Sequence, residues 1–147
     1  MSMGTNYLVA FDGSPQSTAA LKHALTIADG GTVHVLHVLD PREWSGADTV
    51  GVYYSEDIHQ QTTERGESLL EEASEIGKDY EATVETALET GSAATMIVDY
   101  ADEHAIDHII MGSHGRRGLS RFLLGSVAER VVKRSPGSVT IIRETDN

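Results

Sequence analysis

The stretch GSHGRRGLSRFLLGS, Gly112 to Ser126, places four glycines and three arginines within fifteen residues. Glycine lets the main chain approach a ligand closely and take up positive φ. A loop that enters a helix also presents unpaired N–H groups at the positive end of the helix dipole. Residues of these types in this order suit an anion, phosphate above all. Gly112 and Gly115 are expected to provide the close approach and the positive φ. Gly125-Ser126 is expected to start a helix and lend a hydroxyl to a phosphate oxygen, and Arg116, Arg117 and Arg121 to make the surroundings positive. No acidic side chain occurs from Gly112 to Ala128, so the stretch has no carboxylate to orient an attacking water, and His114 is the one candidate for that task.

Elsewhere the charge is reversed. Twenty-three acids stand against eleven bases, a net charge of −12, and the bases are eight arginines and three lysines, Lys22, Lys78 and Lys133. Between Gly112 and Arg134 six bases meet one acid, Glu129, a local +5 that leaves −17 on the remainder. Such a field repels phosphate polymers, so nucleic acid and anionic membrane are not expected as partners. A dense acidic shell poor in lysine suggests a halophilic source, where salt screens self-repulsion.

The 147 residues suit a single domain, 1–147. The chain has no cysteine, which removes disulfides and thiolate zinc sites. The opening MSMGTNYLVAFDGS has no basic leader, and no apolar run approaches the roughly 18 residues of a membrane span. A soluble, cytoplasmic protein is expected.

The elements that must position the loop follow from periodicity. Tyr7 to Phe11 (YLVAF) reads as a strand ending at Asp12-Gly13-Ser14-Pro15, where Ser14 caps a helix that begins with Pro15 and ends at Gly30-Gly31. Thr32 to Leu39 (TVHVLHVL) is a second strand. The stretch from Asp40 to about Asp57 shows no period and holds Trp44, Tyr53 and Tyr54. A polar helix from about Ser55 to Lys78 follows, anchored by Leu69, Leu70, Ala73 and Ile76. Ala82 to Glu89 alternates like a strand at the rim of a sheet, with Ala82, Val84, Thr86 and Leu88 on one face. Ser92 caps the next helix, Ile106 to Met111 is a strand, a short helix runs from about Ser126 to Arg134, and Val139 to Ile142 is the last strand. This βαβαβαβαβ order demands a mainly parallel five-stranded sheet in a three-layer α/β/α sandwich. Ligands of such sheets bind beyond the carboxyl ends of the strands, which puts Asp12-Gly13-Ser14, the aromatic stretch and the glycine loop on one rim.

Other chemistries fare less well. Neither GxxxxGK[ST] nor GxGxxG is present. His34 and His37 fall on opposite faces of a strand, and His104 and His108 straddle a helix end and a strand start, so neither pair has ready-made metal geometry. Ser113 and His114 are adjacent, a poor arrangement for nucleophile and base, and no G-x-S-x-G elbow occurs. Arg130, Lys133 and Arg134 read as solvated helix residues.

The spacing G-x2-G-x9-G-S (Gly112, Gly115, Gly125, Ser126) resembles the nucleotide-binding signature of the universal stress protein family. YLVAFDGSPQSTAAL is similar to that family's opening, TVHVLHVLD to its second strand, and GSHGRRGLSRFLLGSVAERVVKRSPGSVTIIR to its closing third. The resemblance implies a sheet order of 3-2-1-4-5, an adenine nucleotide alpha hydrolase-like fold, and ATP with Mg²⁺ at the strand ends. Carried over, Asp12 would hold the ribose or a phosphate-bound metal, and the Val38 main chain would read the adenine edge. Met111 and Gly112 would line the sugar side, and Gly115, Gly125, Ser126 and Val127 would wrap the phosphates, with Ala10, Phe11 and Arg116 also at the nucleotide. Asp12 is open to a plainer reading as a turn residue and helix cap, and the glycine loop as a disordered tip. Ser135-Pro136-Gly137-Ser138 stands where many relatives have a Cys-Pro turn. The implied role is a nucleotide-responsive homodimer, joined through Val139, Thr140, Ile141 and Ile142, with little or no turnover. The alternatives are a slow ATPase or nucleotidyl-transferring enzyme, or a flavin-binding electron-transfer-like module.

Overall fold

The computed structural model describes residues 5–40, 56–113 and 124–143. Its elements are β1 (Asn6–Ala10), α1 (Pro15–Ile27), β2 (Thr32–Leu39), α2 (Glu56–Gly77), β3 (Thr83–Thr90), α3 (Ala93–Glu103), β4 (His108–Gly112), α4 (Ser126–Arg134) and β5 (Ser138–Ile142). All four strand pairings are parallel and the order is β3-β2-β1-β4-β5, as the alternation of strands and helices requires.

The pleat sends alternate side chains of each strand to opposite helical layers. Val9, Phe11, Val33, Val35 and Ile110 pack with Ala20, Leu21, Ala24 and Leu25 of α1 and with Leu70 and Ala73 of α2. On the other face Leu8, Leu36, Ile109 and Met111 pack with Ala94, Ile97 and Tyr100 of α3 and with Ala128 and Val131 of α4. The central strand β1 is buried on both faces through Leu8 and Val9, each fully enclosed.

Local chemistry starts the helices where the sequence indicates, with one change. Ser14 Oγ accepts from the Ser17 amide at 3.2 Å and Pro15 opens α1. Ser92 occupies the cap position of α3, but its side chain makes no capping bond. The cap comes instead from the end of β2, where the buried carboxylate of Asp40 accepts from the Ala93 amide at 3.3 Å. The rim strand β3 is also less one-sided than its alternation suggests: Val84 and Leu88 pack on the α1/α2 core, Ala87 packs on the α3/α4 core, and Thr86 is exposed.

Candidate functional site

In a parallel ladder the N–H and C=O of one residue point to the same neighbouring strand, and successive residues alternate. Leu36 O accepts the Phe11 amide at 2.9 Å, so Leu36 faces β1, and so does Val38 two residues on. The β1–β2 ladder ends at Ala10–Leu36, whereas β2–β3 pairing continues to Leu39–Thr90. The main-chain groups of Val38 therefore point into space that β1 has left. The opposite wall is built alike. Pairing of β1 with β4 ends at Val9–Ile110, pairing of β4 with β5 runs on to Gly112–Ile142, and the Ser113 amide donates to Ile142 O. Ser113 thus faces β5 and Gly112 faces the β1 side. A crevice opens where the central strand stops, at the point of reversed strand order.

Asp12 stands at the floor of this crevice, and its surroundings are tightly bonded. The Phe11 amide is held by Leu36 O, and the Phe11 carbonyl accepts from His37 Nδ1 at 2.8 Å. The Asp12 amide donates to Ser17 Oγ at 3.2 Å, Ser17 Oγ donates to Ser14 O at 3.1 Å, and Asp12 Oδ1 accepts from the Ser14 amide at 2.9 Å. The last bond is an Asx turn, so the plain reading of Asp12 as a turn residue holds for one oxygen. Gly13 makes the turn with φ +81, a conformation that L side chains resist.

The third component is the start of α4. The Gly125 amide donates to Ser113 O at 2.7 Å, which ties this helix to the end of β4. The first helical bond is Glu129 N to Gly125 O, so the amides of Ser126, Val127 and Ala128 have no carbonyl within the helix to bind. They lie at the positive end of its dipole.

The sequence profile of the Universal stress protein family matches residues 3–143. The chain belongs to the universal stress protein family. It is 32% identical over 139 residues to universal stress protein MJ0531 of Methanocaldococcus jannaschii, covering 93% of this chain and 81% of that one. The solved structure of MJ0577 from the same organism superposes with a TM-score of 0.83 at 29% identity, covering 99% of this chain and all of that one. An Arabidopsis thaliana family protein, At3g01520, solved with AMP bound, superposes at a TM-score of 0.70 and 21% identity, covering 96% and 92%.

Seen against the universal stress protein signature, Asp12, Val38, Gly112, Gly125, Ser126 and Val127 are brought to one rim. Ala10, Val38 and Val127 are half-buried against the α3/α4 core, and Ser126 is exposed. Phe11 and Met111 direct their side chains into the two cores, so only their main chains are available to a ligand. The expectation for Gly112 changes: its φ is not positive, and a Cβ there would lie 2.6 Å from Gln16 Cβ. The missing Cβ permits the close approach of α1. Gly125 likewise has φ −69 and ψ 164, open to any residue. Gly115, Arg116, Arg117, Arg121, His114, Trp44, Tyr53 and Tyr54 lie outside the described residues.

Ser17 and His37 join the rim; the sequence does not single out Ser17, and weighs His37 only as a metal ligand. Ser14-x-x-Ser17 has the spacing of a capping box, with Ser17 in the place that reaches back, and was the legible signal for one of them. The histidines also pair differently from their spacing. His34 Nδ1 meets Tyr100 Oη at 2.8 Å, and His104 stacks on Tyr100 at 3.8 Å, its ring centroid 5.8 Å from that of His34. Burial holds His34 below its ordinary pKa, opposed by the Glu85 carboxylate and reinforced by His104. Burial, with Glu85 and Glu89, raises Tyr100. This cluster lies at the far end of α3 from the crevice. Among the described residues no three His, Asp or Glu side chains gather as a metal site, and no helix is long and apolar enough to cross a membrane.

Proposed function

We propose that this universal stress protein binds an adenine nucleotide in the crevice beyond β1, with ATP and Mg²⁺ as the ligand, and turns it over slowly or not at all. The observation that carries the reading is the crevice itself. Val38 offers one main-chain donor and one acceptor from β2, Gly112 faces it from β4, and the first-turn amides of α4 stand beside them. One donor and one acceptor complement the adenine edge, which has one ring acceptor and one exocyclic donor, and helix-terminal amides suit phosphate. The AMP-bound Arabidopsis chain shows that this fold accommodates an adenine nucleotide in that protein. Mg²⁺ fits as a companion of the phosphates: among the described residues Asp12 stands at the crevice floor, Asp40 being engaged at the start of α3, and Mg²⁺ keeps phosphate and water ligands by preference.

A binder rather than a catalyst follows from the acid-free stretch Gly112 to Ala128, which leaves no carboxylate there to orient a water. The bound state would serve a regulatory homodimer paired through β5, in the cytoplasm. Calorimetric titration with ATP and AMP tests the binding, and a phosphate-release assay tests the turnover. Saturable binding with release well below about one per second is expected. Absence of binding overturns the nucleotide reading, while sustained turnover above that rate, abolished by His114→Ala, makes the protein an ATPase.

A further inference from the structure

We infer that His37 is a positioning residue of the nucleotide site, holding the Phe11-Asp12 corner from the α2 side of the sheet; its effect on binding rests on the reading above. A carbonyl only accepts, so the 2.8 Å bond between His37 Nδ1 and Phe11 O fixes the proton on Nδ1. Beyond Leu36 the β1–β2 ladder has ended, and this side-chain bond takes its place for one further residue. The carbonyl it holds belongs to the peptide whose nitrogen is the Asp12 amide, itself bonded to Ser17 Oγ at 3.2 Å. Both ends of that peptide are thus gripped by side chains, His37 from β2 and Ser17 from α1, and the Asp12 side chain projects from it.

The imidazole has little room to move. A Cβ built on Gly66 of α2 would lie 3.0 Å from His37 Cδ2 and 2.9 Å from Leu88 Cδ1. The absence of a side chain at position 66 therefore lets α2 sit directly on the ring. Helix α2, the imidazole and the Phe11–Asp12 peptide are thus linked contact by contact. His37 stands one residue before Val38, on the opposite face of β2, and its Nδ1 is engaged by the backbone.

Two variants and two readouts test this. His37→Asn keeps an N–H near the position of Nδ1, and His37→Leu removes it at similar bulk. In the nucleotide-free protein, nitrogen NMR of wild type is expected to show the Nδ1–H tautomer. His37→Leu is expected to displace the amide resonances of Asp12, Gly13 and Ser14, with His37→Asn restoring them. ATP affinity is expected to fall roughly threefold to tenfold in His37→Leu, the share of one hydrogen bond, and to recover in His37→Asn. An Nε2–H tautomer, or unmoved Asp12 to Ser14 resonances in folded His37→Leu, would overturn the inference whether or not ATP binds. Wild type that binds no ATP while the NMR pattern holds would count against the nucleotide reading alone and support the positioning.

Discussion

A methyl group added at Gly112 would meet Gln16 Cβ at 2.6 Å and the Gln16 carbonyl carbon at 3.1 Å, so Gly112→Ala must push the first turn of α1 away from β4. Overpacking of this kind costs about 1–3 kcal/mol, and because α1 begins just beyond Asp12 the displacement reaches the crevice as well. Gly125 differs in its backbone: its φ of −69 suits any residue and its amide is held by Ser113 O, but the position is buried, so Gly125→Val is tested only in protein shown to be folded. A side chain there would project beside the first-turn amides of α4 and exclude a phosphate. Gly112→Ala should therefore lower the urea midpoint, whereas Gly125→Val that remains folded by circular dichroism should lose at least about tenfold in ATP affinity, near 1.4 kcal/mol. Unchanged affinity in folded Gly125→Val would remove the phosphates from this helix end.

At the scale of elements, β5 is an edge strand whose outward groups can be named. Ile142 O accepts from the amide of Ser113, just past the end of β4, so Thr140 and Ile142 face inward while Val139 and Ile141 present their N–H and C=O to whatever lies outside. Val139 to Ile142 are all half-buried, and Val139 and Ile141 also pack on the α3/α4 core. An apolar edge left open in this way invites another chain, and a two-fold axis beside it would pair β5 with its own copy. Ile141→Pro deletes one outward N–H and keeps the side apolar; it should convert a dimer to monomer in sedimentation, and a wild type already monomeric at micromolar concentration would sink the proposal. Element order and sheet topology were legible because periodicity, Gly and Pro punctuation and the handedness of crossovers are local or combinatorial. Three features were not. Asp40 caps α3 from 53 positions away, His34 meets His104 only once α3 lies on β2, and the need for glycine at 112 to admit Gln16 shows only once α1 lies on β4. Each depends on which side chains the folded layers bring together, information that no window of sequence carries.

For the molecule as a whole, two electrostatic effects act with different dependences. A net charge of −12 on 147 residues is self-repulsive, and salt relieves it: the screening length shrinks from about 10 Å at 0.1 M to about 3 Å at 1 M. The melting temperature should rise over that range, and a flat or falling response would remove the salt-loving reading. His34 adds a pH dependence that salt does not erase, because the residue is only 7% exposed. Its pKa in the fold lies below the ordinary imidazole value of 6.5, chiefly through burial, with Glu85 opposing and His104 adding to the effect. Above about pH 6.5 both folded and unfolded chains hold His34 neutral, and its contribution to stability is complete. As pH falls below that value the unfolded chain takes up a proton that the fold refuses, so stability declines until the pH has also passed the lowered folded value. Urea unfolding between about pH 7.5 and 5.5, at high salt to mute the acidic surface, should show this decline in wild type. His34→Gln, which removes the titrating ring, should reduce the slope, and an identical slope in that variant would place the pH dependence elsewhere.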